Sequence, residues 1–157
     1  MGNRGFGWFG KFYGEQVERI TFLLDRHVKQ ADSKIDLERY FEICEIQGVE
    51  PDLDKMPLIF SDFPEEVQVA FFLYDFLPDN WEGMSGSYLG KDYSTIEFLF
   101  KLFEVSEPKE TLLFIKIYDQ KVVEYRMKKQ QQKEKASKVK KSPPGAAGKK
   151  YVHNVKG

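Results

Sequence analysis

Between Pro64 and Pro78 lies the run VQVAFFLYDFL, residues 67–77, in which Gln68, Asp75 and the hydroxyl of Tyr74 are the only polar side-chain groups. A helix that is apolar nearly all round cannot rest on a surface and must be enclosed by other elements. This segment therefore predicts a central helix. Asp62, Pro64 and Glu65 supply its start signal, and Pro78 stops it.

The neighbouring segments have the stripes needed to surround it. Val17, Ile20, Leu24 and Val28 recur at helical spacing, and Asp32 and Ser33 break that pattern. Leu37, Tyr40, Phe41 and Cys44 form a second core-facing stripe, closed by Gly48 at a C-terminal cap position. Ser94-Thr95-Ile96-Glu97 reads as a capping box ahead of TIEFLFKLFEV. Ser106-Glu107-Pro108 opens a last helix with Ile115, Tyr118, Val122 and Tyr125 on one face. After Met127 that face vanishes, so the helix is expected to project outward and fray. No strand alternation is evident. The fold class is all-α: a compact bundle of about five helices over residues 14–127. A flexible Gly/aromatic arm, residues 1–13, precedes it, and a basic, largely flexible tail, residues 128–157, follows.

Charge divides the chain in the same way. Residues 126–157 hold 11 Lys and Arg against one acid, Glu134, whereas residues 1–125 hold 13 basic and 24 acidic side chains. A basic tail on an acidic body can track nucleic acid through phosphates without sequence preference, dock on an acidic protein surface, or serve solubility. The acidic body argues against a folded nucleic-acid-binding face. One cysteine, Cys44, allows no internal disulfide and points to a reducing compartment. No apolar run is long enough to span a bilayer, so no membrane partner is expected.

Apparent cofactor motifs dissolve on inspection. GMSGSYLGKDYS, residues 83–94, resembles a phosphate loop, but its spacing from Gly86 is one residue short, and Asp92 occupies the Ser/Thr position. Gly5, Gly7 and Gly10 match G-x-G-x-x-G without the strand such a site requires. Asp52 and Asp54 lack a third metal ligand nearby. His27, near the end of the first helix, is expected to face solvent, and Cys44 to be buried and inert. These readings point to a non-enzymatic protein with no catalytic residues, no metal and no cofactor. The loop residues Gly83, Gly86, Gly90 and Asp92 are assigned a structural role, as a hinge or a docking loop.

Trp81 followed by GMSGSYLGKDYSTIEFLFKLFEV resembles small phage tail-assembly proteins, in which a tryptophan, a glycine pair, a G-x-D-Y turn and an apolar helix follow one another. The matching positions are Trp81, Gly83, Gly86, Gly90, Asp92, Tyr93, Ile96, Leu99 and Leu102, within residues 78–105. The resemblance implies a tail-assembly chaperone that binds tape-measure or tail-tube proteins in the host cytoplasm, as a homo-oligomer or within a larger assembly. Candidate partner-binding residues are Phe6, Trp8, Phe9 and Phe12 of the arm, Trp81 and Tyr93 of the loop, and Lys128, Lys129, Lys140, Lys141 and Tyr151 of the tail. The arm's aromatics have packing within the domain as an alternative. Two other functions stay open: a structural virion protein (connector, tail or capsid-associated subunit), and a nucleic-acid-associated accessory protein acting through its tail.

Overall fold

The computed structural model describes Phe12 and residues 14–141. Among these, five α-helices and one two-stranded sheet follow in the order α1 (Gly14–Gln30), α2 (Leu37–Gln47), α3 (Glu65–Tyr74), β1 (Asp79–Trp81), β2 (Tyr88–Lys91), α4 (Ile96–Leu102) and α5 (Pro108–Lys141). The domain is mostly helical, and α1 and α3 both pack along α5.

Helix α1 buries the four residues of its stripe, Val17, Ile20, Leu24 and Val28. Ile20, Leu24 and Val28 join one core with Val67, Ala70, Leu73 and Leu77 from α3 and its exit, and Phe114, Ile115 and Val122 from α5. Each large side chain fully withdrawn from water here, such as Leu24, Leu73 or Phe114, contributes about 1.5–3 kcal/mol. Phe12 seats its ring edge-on against Phe114, with centroids 5.2 Å apart.

Helix α2 departs from expectation. Asp36 caps its N-terminus by accepting from the Arg39 amide at 2.8 Å. Gly48, at φ +64°, closes its C-terminus. Of its expected core stripe only Cys44 is buried, however, while Phe41 and Ile46 are open to solvent. Polar bonds hold this region instead. The Tyr40 hydroxyl bonds both backbone groups of Asp52, Gln30 bonds the Met56 carbonyl and the Leu58 amide, and Arg26 donates to the Leu53 and Met56 carbonyls. Asp52 accepts from the Asp54 amide and pairs with Lys55, a local turn.

Helix α3 is central but not enclosed. Val67, Ala70, Leu73 and Tyr74 are buried, whereas Phe72 stands about half exposed, as does Phe76 just beyond the helix. Helix α5 and α1 cover one side, and α4, only seven residues long, is too short to cover the other. The Asp62 carboxylate caps the preceding 3-10 turn through the Ile59 amide rather than α3 itself, whose N-cap is Pro64.

Two further expectations are corrected. The absence of strands fails at residues 79–91, where β1 and β2 pair antiparallel with Asp79 opposite Lys91, Asn80 opposite Gly90 and Trp81 opposite Tyr88. The capping box does not form: Thr95 is the N-cap of α4 and makes no side-chain cap bond. Glu97 turns to Lys101 instead, and the Ser94 amide donates to the Asp92 carboxylate.

Helix α5 has 34 residues and so runs about 50 Å. Pro108 occupies its first position, where the missing N–H costs no helical bond. Its first half is in the core, and residues 126–129 and 131–138 are exposed. No helix among the described residues is long and apolar enough to cross a membrane.

Candidate functional site

Residues 83–94 supply the turn and the second strand of the β1–β2 hairpin, which is clamped onto α5. Asp119, on α5, is only 7% exposed and is the centre of the clamp. Its carboxylate accepts from the Tyr74 hydroxyl at 3.1 Å, the Tyr93 hydroxyl at 2.7 Å and the Lys91 amide at 3.0 Å. One buried side chain thus holds α3, β2 and the approach to α4 to one turn of α5. A buried carboxylate is tolerated only when its lone pairs are met in this way.

The second layer of the clamp is also tyrosine. The Tyr88 hydroxyl lies 3.1 Å from that of Tyr74 and 3.1 Å from Asp79, which in turn pairs with Lys91 at 2.9 Å. With the Tyr74 proton committed to Asp119, Tyr88 has one proton to divide between Tyr74 and Asp79. Burial, then the Tyr88 contact, then the Asp119 charge push the Tyr74 phenol far above its ordinary value. Burial raises Tyr93 too, reinforced by its bond to Asp119, and pushes Tyr88 up to about 12. All three are therefore neutral hydrogen-bonding groups at physiological pH. The bond from Lys91 holds Asp79 below its usual range.

Gly90 is what allows the approach. Its φ is +107°, and a Cβ there would lie 2.8 Å from an Asp119 carboxylate oxygen. Gly86, at φ +67°, closes the hairpin turn with its amide on the Glu82 carbonyl. Gly83 has open space around its Cα. The Asp92 amide bonds the Pro78 carbonyl, and the Asp92 side chain orders the turn into α4.

The clamp presents two surfaces. On one, Trp81, 52% exposed, stands edge-on to Tyr88 at 5.0 Å. Beside them runs the face of α5 bearing Arg126, Lys129 and Lys133, with the Arg126 guanidinium 4.1 Å from the Tyr88 ring centre. Together with Gly86, Met127 and Gln130 these residues line a shallow groove of about 250 Å³. Lys129 also pairs with Asp32, which accepts from the Tyr125 hydroxyl at 2.5 Å.

The other surface is the uncovered side of α3 and α4. Phe72, Phe76 and Phe103 stack mutually, with centroids 5.1–5.2 Å apart, and each is at least one-third exposed. Phe98 and Leu102 of α4 are exposed as well. A cleft of about 440 Å³ adjoins Phe72 and Phe103 and is edged by Glu65, Glu104 and Glu107.

The sequence-derived candidates scatter across these features. Phe6, Trp8, Phe9 and Tyr151 lie outside the described residues. Phe12 packs on Phe114, and Tyr93 commits its hydroxyl to Asp119 and its ring to the Lys116 ammonium, 3.7 Å from its centre. Trp81 and Lys129 come together in the groove, Lys128 is exposed but does not line it, and Lys140 and Lys141 belong to the last turn of α5. Sequence reasoning missed Asp119, Tyr74, Tyr88 and Arg126. His27, expected in solvent, instead packs 5.1 Å from Phe71 and 5.6 Å from Phe63, and burial lowers its pKa. Among the described residues, no group of three or more His, Cys, Asp or Glu side chains is placed to hold a metal ion. No protein-family model matches the chain, and neither a curated protein nor a solved structure matches it.

Proposed function

We propose that this protein is a non-enzymatic assembly factor that binds a protein partner through the open aromatic face of α3 and α4. The observation that carries the reading is the stacked Phe72–Phe76–Phe103 group, left uncovered beside Phe98 and Leu102. Contiguous exposed apolar surface is costly for an isolated domain and marks interaction sites. Its acidic edge, Glu65, Glu104 and Glu107, favours an amphipathic helix whose apolar stripe is flanked by Lys or Arg.

The specific form proposed is a phage tail-assembly chaperone that holds a tape-measure or tail-tube protein soluble in the host cytoplasm. Its support is the resemblance across Trp81 to Leu102, which includes α4 of the aromatic face. The test is coexpression with the tape-measure protein from the same genome. The partner should become soluble with the wild-type chain and remain insoluble with Phe98→Ser/Leu102→Ser, two exposed positions. Equal solubility with both chains would remove the face from the account. If quantitative mass spectrometry finds the protein in purified particles at fixed copy number, the structural virion alternative takes precedence.

A further inference from the structure

We infer that the groove between Trp81 and the basic face of α5 is a binding site for single-stranded nucleic acid. The inference is independent of the aromatic face, because the groove lies with the hairpin and the second half of α5.

A single strand needs two things from a protein: a ring on which a base can stack, and cations along its phosphates. The sequence separates these by 45 residues, from Trp81 to Arg126, and the fold joins them. Arg126, Lys129 and Lys133 fall at i, i+3 and i+7 and therefore share one face of α5. From Arg126 to Lys133 that face spans about 10 Å. Trp81 and Tyr88 stand at its side, Trp81 about half exposed and with the Arg126 guanidinium 5.7 Å from its ring centre. Tyr88 is fixed below by its hydroxyl bonds, so the platform is held in place before any ligand arrives. Two carboxylates oppose this charge, Asp32 through Lys129 and Asp79 through Arg126.

The size and shape of the groove favour a single strand over a duplex. About 250 Å³ accommodates a base, whereas a duplex keeps its bases stacked on each other and offers no free face to an indole. An acidic peptide would satisfy the cations but would leave the indole without a stacking partner. Binding should show little sequence preference, because every base has a π face.

The test is fluorescence anisotropy of a labelled oligo(dT) and a labelled oligo(U) with the full chain at several salt concentrations. Trp81→Ala should weaken binding roughly tenfold, the loss of one stacked base, and Trp81→Phe should recover part of it. Lys133→Gln, on an exposed side chain, should reduce the salt slope by about 0.7. Asp32→Asn should tighten binding a few-fold. Unchanged affinity in both Trp81→Ala and Lys133→Gln would overturn the site, as would loss of all binding on deleting residues 142–157 alone. Equal affinity for duplex of the same length, or for an oligoglutamate peptide with the same Trp81 dependence, would also overturn it. Preference for oligo(U) or for oligo(dT) would support the site and tell RNA from DNA as its ligand.

Discussion

The two halves of α5 share one helix and almost nothing else. Up to Val122 it is a core element: Phe114 and Ile115 are sealed from water, and Asp119 gathers hydroxyls and an amide from three other segments. From Arg126 onward nearly every side chain described is exposed, and Lys and Arg far outnumber the single acid, Glu134. The first half gains stability from burial, and the second has little to bury and so contributes charge. The difference teaches that helix continuity is no measure of packing. It also separates what holds the fold from what the fold displays. The hairpin is the link between the halves, pinned by Asp119 on one and laying Trp81 beside Arg126, Lys129 and Lys133 on the other.

That division can be broken most forcefully at Asp119. Asp119→Ala would leave the Tyr74 and Tyr93 hydroxyls and the Lys91 amide without their acceptor, and should cost about 3 kcal/mol by denaturant unfolding. Glu134→Ala, on the exposed half, should stay within about 0.5 kcal/mol of wild type. Equal effects at the two positions would dissolve the distinction. Gly90→Ala adds a Cβ at φ +107°, against the Asp119 carboxylate, and should cost about 2 kcal/mol. Thermal melts would register that loss, and an unchanged midpoint would mean that the hairpin does not press on Asp119.

Smaller effects sharpen the picture around the folded half. Glu104, in the turn that feeds α5, has φ +47°. Glu104→Gly should therefore stabilise by up to about 1 kcal/mol in denaturant titrations. His27 lies against Phe71 and near Tyr118, and burial lowers its pKa below the ordinary 6.5. The unfolded chain then takes up this proton before the folded one does. The His27 contribution is complete above about pH 6.5 and is lost as the pH falls through the depressed folded value. Stability of His27→Gln should accordingly decline less than that of wild type between pH 7 and pH 5. The smallest effect belongs to the far half: truncation after residue 130, which keeps the Lys129–Asp32 pair, should leave the melting midpoint where it was.

How much of this could be read in the sequence varies with the range of the interaction. The α1 stripe, the Gly48 cap and the Pro108 start are local signals, and the structure has all three. The hairpin was illegible because its strands have three and four residues, too few to show alternation. Its fixing group, Asp119, is 28 residues beyond Lys91. The all-round apolarity of residues 67–77 reports that α3 needs cover, but not whether this chain supplies it. Phe72 and Phe76 show that part of the cover is missing. The α2 stripe misled for a related reason: apolar spacing marks a face, and here Tyr40 and Gln30 anchor the region through backbone groups instead. In the groove, Trp81 and Lys129 were each legible as candidates, but their adjacency was not, since it depends on the clamp.

The claim on which the rest depends is that Asp119 locks the hairpin to the folded half of α5. Native-state hydrogen exchange of the Lys91 amide, which donates to Asp119, tests it most directly. The account predicts that this amide exchanges as slowly as those of α1 and α3, opening only with the whole domain. Exchange at the rate of an exposed loop would contradict it and leave Trp81 without a fixed place beside the basic face.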